Sequence, residues 1–252
     1  MKILFTICAR AGSKGLKNKN VSDFLEIPLS YYTLSAYKLF CNKNTQYKCA
    51  LAVNTDSPKL IEQIKRTNIE FTHIQRIEEL AGDRVGKIDV IKDTFKKMGQ
   101  DFDVVIDLDL TSPLRTVEDI EGVLKGLVDN SKADVCFSMT EARRSPYFNQ
   151  VKKGYEGFYT TVLNSQAVSR QEVEEVFDMN ASIYAYKPEY LSREDVKKLF
   201  DGKMTAYKMK DTAVLDIDNP GDKELMEIIA TYFYKKYQNY NEVKTFCDTI
   251  VK

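Results

Sequence analysis

The 252-residue sequence predicts an α/β fold of three layers, a mostly parallel sheet with helices on both faces, plus a small arm. Two observations carry this expectation. Six apolar runs rich in β-branched residues recur along the chain, and helical periodicities fall between them. Strand alternating with helix implies a sheet joined by right-handed crossovers. The runs are nearly continuous rather than alternating, as parallel strands covered on both faces are.

The strand candidates are residues 2–9, 48–55, 103–110, 134–139, 182–186 and 213–218. In 29–40, Leu29, Tyr32, Ala36, Leu39 and Phe40 share one helical face. Ser57-Pro58 reads as a cap with proline at the first helical position. Thr116 and Asp119 have the capping-box form ahead of Ile120, Val123 and Leu124. Asn219-Pro220 opens a last helix, with Leu225, Ile228, Ile229, Tyr232 and Phe233 on one stripe. The tyrosine-rich tail 230–243 reads as an amphipathic helix packing on the sheet. The chain 1–252 is expected to be one domain.

Residues 140–180 break the rhythm, being far longer than the usual connection of about four to six residues. They are polar yet rich in Tyr, Phe and Arg, and read as an excursion that contacts substrate, a second subunit or both. A monomer would leave Tyr155, Phe158, Tyr159 and Phe177 exposed, which predicts a homodimer through this arm.

Composition removes several classes. Lysine plus arginine and aspartate plus glutamate both total 37, so no global field argues for nucleic acid or a membrane surface. The first apolar run is too short for a signal peptide and is interrupted by Arg10. No window approaches the roughly 18 apolar residues of a membrane span. The five cysteines are scattered without CxxC spacing, as reduced thiols of a cytoplasmic protein are. The one histidine, His73, lies in a strand-like run and is expected to be structural, which excludes a histidine-based zinc site.

The stretch "ICARAGSKGLKNKN" (7–20) follows the first strand, where open α/β sheets bind ligands. Gly12 and Gly15 allow a tight turn that presents N–H groups, and Arg10, Lys14, Lys17 and Lys19 add charge. A triphosphate suits such a loop, and the plain alternative is a solvated basic turn. Neither GxxxxGK[ST] nor GxGxxG is present, which disfavours a P-loop ATPase or a dehydrogenase. Asp107 and Asp109 end one predicted strand, and Asp216 and Asp218 another. Carboxylates two apart on a strand point the same way, about 6.5 Å apart, and need a partner if buried. Mg²⁺ (or Mn²⁺) beside a triphosphate is one such partner. Helix capping is the alternative for Asp218.

These segments resemble the acylneuraminate cytidylyltransferases, which make CMP-activated sialic acids. "ARAGSKGLKNKN" is similar to their A-R-x-x-S-K-G-x-x-x-K-N signature, "TSPLR" (111–115) to T-S-P-L-R, "NASIY" (180–184) to N-G-A-I-Y, and "DIDNPGD" (216–222) to D-I-D-T-x-x-D. "RRSPYFN" (143–149) and "DMNASIY" (178–184) look most like the branch that activates legionaminic acid. The resemblance implies a nucleotide-diphospho-sugar transferase-like fold and transfer of CMP from CTP to the anomeric hydroxyl of a nine-carbon 2-keto acid sugar, releasing pyrophosphate.

It also implies roles. The nucleotide would be held by Ala9, Arg10, Ser13, Lys14, Lys19, Asn20, Arg76 and Lys87, with Lys19 near the α-phosphate. Asp216 and Asp218 would bind magnesium. Together with Arg10 and Lys19 they would form the catalytic set. The sugar would meet Asp109, Thr111, Ser112, Arg115, Arg170, Gln171 and Asn180, with Arg170 and Gln171 on the arm. Three departures bear on the sugar. Asp109 replaces a glutamine, Lys87 stands where many relatives carry a small hydroxyl residue, and Asp178 where some carry an arginine. No side chain is an evident general base, which leaves an aspartate or the metal's own chemistry. Other readings are a nucleotidyltransferase of the same fold acting on Kdo or a sugar 1-phosphate, and a non-catalytic nucleotide-binding regulator.

Overall fold

Strand β1 (Lys2–Cys8) lies inside a sheet of order β11-β7-β10-β6-β1-β4-β5, and its Ile3, Leu4, Phe5 and Ile7 are fully buried. The computed structural model describes residues 1–12, 16, 18–82, 85–212 and 216–251, without the side chain of Arg170. The other strands of this sheet are β4 (Lys48–Thr55), β5 (Thr72–Gln75), β6 (Val104–Leu108), β7 (Val135–Glu141), β10 (Phe177–Tyr186) and β11 (Met204–Lys208). Pairs β1·β4, β1·β6, β4·β5 and β7·β11 are parallel.

Strand β10 corrects one expectation, being antiparallel to both β6 and β7. A parallel return needs a long crossover, usually a helix. Between β7 and β10 lies instead an antiparallel hairpin, β8 (Val151–Lys153) with β9 (Tyr159–Thr161). The chain therefore comes back in the opposite direction. This hairpin lies within the predicted arm, and Tyr155, Phe158 and Tyr159 are 94%, 72% and 67% exposed.

Helices cover both faces. One face carries α1 (Leu29–Lys43), α2 (Pro58–Lys65), α4 (Val117–Val128), α6 (Pro220–Lys236) and α7 (Gln238–Phe246), packed on Phe5, Val53 and Ile106. The other carries α3 (Lys87–Lys97) and α5 (Pro188–Ser192), packed on Leu4, Ala52 and Val105. Alternate residues of each strand thus feed the two layers. The caps follow the sequence. Ser57 Oγ accepts from Leu60 N, while Thr116 with Asp119 and Asn219 with Asp222 form reciprocal capping boxes. Glycines at 122 and 126 let α4 lie close to the sheet: a Cβ at Gly122 would strike the Tyr207 ring, and one at Gly126 would meet Cys136 Sγ at 2.8 Å.

Three further expectations are corrected. The tail forms two helices that break at Tyr237, and Phe233 packs edge-on against Tyr240 at 5.0 Å. That packing turns Met226, Ala230 and Phe233 inward and leaves Leu225, Ile228 and Tyr232 exposed. Of the run 213–218, residues 213–215 lie outside the described residues, and Asp216 to Asp218 lie outside any strand. A short hairpin, β2 (Asp23–Phe24) with β3 (Ile27–Pro28), turns through Leu25 and Glu26 at φ 47° and 65°. His73 sits on β5 with its Nε2 3.2 Å from Thr55 O. All five cysteines are free.

Candidate active site

The carboxyl ends of β1 and β6 open into a cleft of about 430 Å³. Strand β1 delivers Ala9 and Arg10 to it, because the parallel ladder extends one step further through Ala9 N to Asn54 O at 3.1 Å. The loop beyond is tied back at two points. Ala11 N donates to Asp56 Oδ1 at 2.7 Å, and Asn20 Nδ2 donates to Arg10 O at 3.0 Å. The Arg10 guanidinium donates to Ala81 O at 3.3 Å. Across the cleft, Lys19 Nζ donates to Asp218 Oδ1 at 2.8 Å, so the basic loop meets the second acidic pair directly.

Arg76 is almost buried, with Nε on Asn54 Oδ1 at 3.0 Å and Nη2 on Asn54 O at 3.1 Å. Burial pulls its pKa below the usual arginine value. Lys87 reaches the end of β6, with Nζ 2.7 Å from Asp107 Oδ2 and 2.6 Å from Asp109 Oδ2. Thr6 Oγ1 donates to Asp107 Oδ1 at 2.7 Å, while Thr111 N and Oγ1 donate to Asp109 Oδ1 at 3.1 and 2.8 Å. Burial works to raise Asp109, but Lys87 and Thr111 outweigh it and hold the carboxyl well below its usual range. Burial likewise works to lower Lys87, and the two aspartates outweigh it.

Asp216 is different. Burial, then the charge of Asp109, pushes its pKa up. Its buried Oδ1 has no hydrogen-bond partner among the described residues. Buried carboxylate oxygens are normally satisfied, so this oxygen is available to a ligand.

The cleft thus gathers Ala9, Arg10, Lys19, Asn20, Arg76, Lys87, Asp109, Thr111, Asp216 and Asp218. Ser13, Lys14 and the Arg170 side chain lie outside the described residues. Four of the sugar candidates lie outside the lining of this cleft. Arg115 is 1% exposed and donates inward to Ser182 Oγ at 3.2 Å and Ser112 O at 2.8 Å. Ser112 is buried beside it. Asn180 Oδ1 accepts from Ser138 Oγ at 2.6 Å within the irregular stretch of β10. Gln171 lines a separate cavity of about 280 Å³ with Arg144 and Glu174. Beside Asn180, Ala181 takes φ 52° where the resembled motif has glycine, a left-handed backbone that costs a non-glycine residue roughly 1–2 kcal/mol.

Cleft residues that sequence reasoning passed over are Cys8, Leu80, Gly82, Val85 and Val90. The signal for the middle three was the glycine pair in "LAGDRVG" (80–86), which marks a loop between a strand and a helix. Asp56, which ties Ala11, was visible in "NTDSP" (54–58) only as part of a helix start.

A basic loop facing carboxylates beyond parallel strands suits a polyanionic substrate, and the absence of a dinucleotide or Walker sequence disfavours a dehydrogenase or P-loop ATPase. Residues 4–246 match the family described as "Cytidylyltransferase". The chain belongs to that family and is a nucleotidyltransferase. It is 31% identical over 235 residues to "Post-translational flagellin modification protein B" of Campylobacter coli, covering 90% of this chain and 94% of that protein. It is also 31% identical over 241 residues to "CMP-N,N'-diacetyllegionaminic acid synthase" of Campylobacter jejuni, covering 91% and 95%. Its fold is similar to that of a CMP:2-keto-3-deoxy-manno-octonic acid synthetase complexed with CTP, with a TM-score of 0.63 at 17% identity over 92% of this chain and 99% of that one.

Proposed function

We propose that this chain transfers CMP from CTP to the anomeric hydroxyl of a nonulosonic acid of the sialic type, closest to legionaminic acid, and releases pyrophosphate. The observation that carries this is the Lys19–Asp218 contact. It brings the loop after β1 and the acidic segment ahead of α6 into one cleft. Arg10, Lys19 and Arg76 supply positive charge for a triphosphate. The relative named CMP-N,N'-diacetyllegionaminic acid synthase, at 31% identity, supports this choice of acceptor.

A divalent cation, Mg²⁺ or Mn²⁺, fits the donor set here. Asp216 offers a buried oxygen without a hydrogen-bond partner, and Asp218 is exposed. No three metal-ligating side chains converge among the described residues, so the nucleotide's own oxygens would complete the ligand set. Bound there, the ion would neutralise triphosphate charge. The chain's own work is to hold Asp216 and Asp218 beside Lys19 and to orient the loop through Asn20 and Asp56. In-line attack on the α-phosphorus then depends on positioning and charge rather than on covalent chemistry.

The test is pyrophosphate release from CTP, UTP and GTP across legionaminic acid, N-acetylneuraminic acid, Kdo and sugar 1-phosphates. Turnover is expected with CTP and a nonulosonic acid. Turnover only with a sugar 1-phosphate would replace this reading by its nearest rival. CTP binding without turnover on any sugar would favour a regulator.

The chain is proposed to work as a cytoplasmic homodimer, without nucleic-acid or membrane partners. Among the described residues no helix is long and apolar enough to cross a membrane. The aromatic face of the β8–β9 hairpin supports a subunit contact, since large exposed aromatics cluster at interfaces. Sedimentation at micromolar concentration should give twice the chain mass, and Phe158→Ser with Tyr159→Ser should shift it toward the monomer. A monomeric wild type would remove this assignment of the arm.

A further inference from the structure

Lys87 sits where a helix disfavours a cation. It is the first residue of α3, and the Gly86 cap brings no side chain. The positive end of the helix repels an ammonium there. What holds it is the pair of aspartates at the end of β6, with both Oδ2 oxygens within 2.7 Å of Nζ. The two Oδ1 oxygens are already taken, one by Thr6 and the other by Thr111. The Tyr184 ring closes another side, its centroid 5.4 Å from Nζ.

The two acidic pairs of the cleft differ in where their lysine sits: Lys87 bridges both members of the first pair, and Lys19 meets only Asp218 of the second. Asp107 and Asp109 share a lysine: Asp109 has both oxygens hydrogen-bonded, and the buried Asp107 Oδ2 has no hydrogen-bond partner but lies 2.7 Å from the Lys87 ammonium. Asp216 keeps a buried oxygen without a hydrogen-bond partner, and Asp218 is largely exposed. A hard divalent ion needs oxygen lone pairs; Lys87 stands on those of Asp107 and Asp109, whereas among the described residues no cation is ion-paired with Asp216. We propose that Lys87 is the built-in cation of the Asp107–Asp109 pair and keeps divalent metal out of it, so that the protein presents a single divalent site, on the Asp216–Asp218 side. The lysine is also a cleft wall, and an ammonium has three donors, so capacity remains for an anionic group of the bound substrate.

The inference rests on the nucleotidyl-transfer reading, but metal binding can be counted without turnover. Mn²⁺ binding to the nucleotide-free protein is measured by electron paramagnetic resonance for the wild type, Lys87→Gln, Lys87→Arg, Asp109→Asn and Lys87→Gln with Asp109→Asn. Lys87→Gln should bind one more Mn²⁺ per chain than the wild type, and adding Asp109→Asn should abolish that gain. Lys87→Arg and the single Asp109→Asn variant should match the wild type. If Asp109→Asn alone lowers the bound Mn²⁺, metal already occupies that pair and the proposal fails. An unchanged count in folded Lys87→Gln overturns it equally. The Asp109→Asn arm keeps the lysine and decides the matter even if Lys87→Gln does not fold.

Discussion

Asp216→Asn should lower kcat/KM for CTP-dependent pyrophosphate release by roughly 10²–10³-fold, the usual cost of removing one group that stabilises developing charge. It should do so without lowering thermal stability. Asp216 is pushed toward its neutral form by burial and then by Asp109, so its ionisation is a burden on the metal-free fold. The sign follows from linkage. A carboxyl whose folded pKa lies above its unfolded value binds protons more readily in the native state. Its cost is present at pH above the folded pKa and disappears as pH falls below the unfolded value, because stability falls with rising pH wherever the native state binds more protons. An asparagine carries no such cost. The melting temperature of Asp216→Asn, measured without divalent ions, should equal or exceed that of the wild type near neutral pH, and the difference should shrink on acidification. Strong destabilisation at every pH would show that Asp216 is held for structural reasons, and the ligand reading of its unpartnered oxygen would fall with it.

Opposed effects on activity and stability are expected where binding groups are gathered before their ligand arrives. The cleft contains Lys19–Asp218 and Lys87–Asp109 as internal ion pairs. Substrate binding must compete with the first of these. The second is shielded more deeply, and its aspartates accept from threonines as well.

Much of this arrangement was legible in the sequence, and the reasons differ by element. Strands β1, β4, β6 and β7 announce themselves because both of their faces are buried and their apolar runs have few interruptions. Helix α3 was hidden because its buried Ile88, Val90, Ile91 and Phe95 are interleaved with Lys and Asp. Edge strand β11 was missed because its residues are only half-buried and carry no such run. The segment around Ile217 reads as a strand for its apolar content. In the structure, Ile217 N bonds Thr111 O at 3.3 Å and pins the acidic segment to the loop after β6.

For the site, motif order was readable but partner choice was not. Nothing in the spacing of Lys87 and Asp109 shows that α3 begins against the end of β6. Asp109 and Arg115 belong to one short segment, yet one faces the cleft and the other turns inward. That choice depends on which long-range partners wait on each side, Lys87 for the aspartate and Ser182 for the arginine.

The second large effect is expected at Arg115. Its guanidinium joins three parts of the chain: Nη1 reaches Thr33 Oγ1 of α1 at 3.4 Å, Nε reaches Ser182 Oγ of β10 at 3.2 Å, and Nη2 bonds Ser112 O at 2.8 Å together with Asp109 O. Burial lowers its pKa to about 10, so it stays charged at neutral pH among Asp109, Asp107 and Asp119. Arg115→Met would strand the Ser112 carbonyl, leave Asp109 O with only Thr33 Oγ1, and leave those carboxylates less well compensated. Breaking a buried charge network by removing one partner costs about 3–5 kcal/mol. Urea unfolding should read a loss of that size. Arg115→Lys should recover little of it, because an ammonium lacks the planar fork that spans these acceptors. Activity should fall as well, since the strut fixes the backbone that carries Asp109 and Thr111 into the cleft. If Arg115→Met keeps wild-type stability and raises only the KM of the sugar, the residue contacts the acceptor and the buried-strut account is wrong.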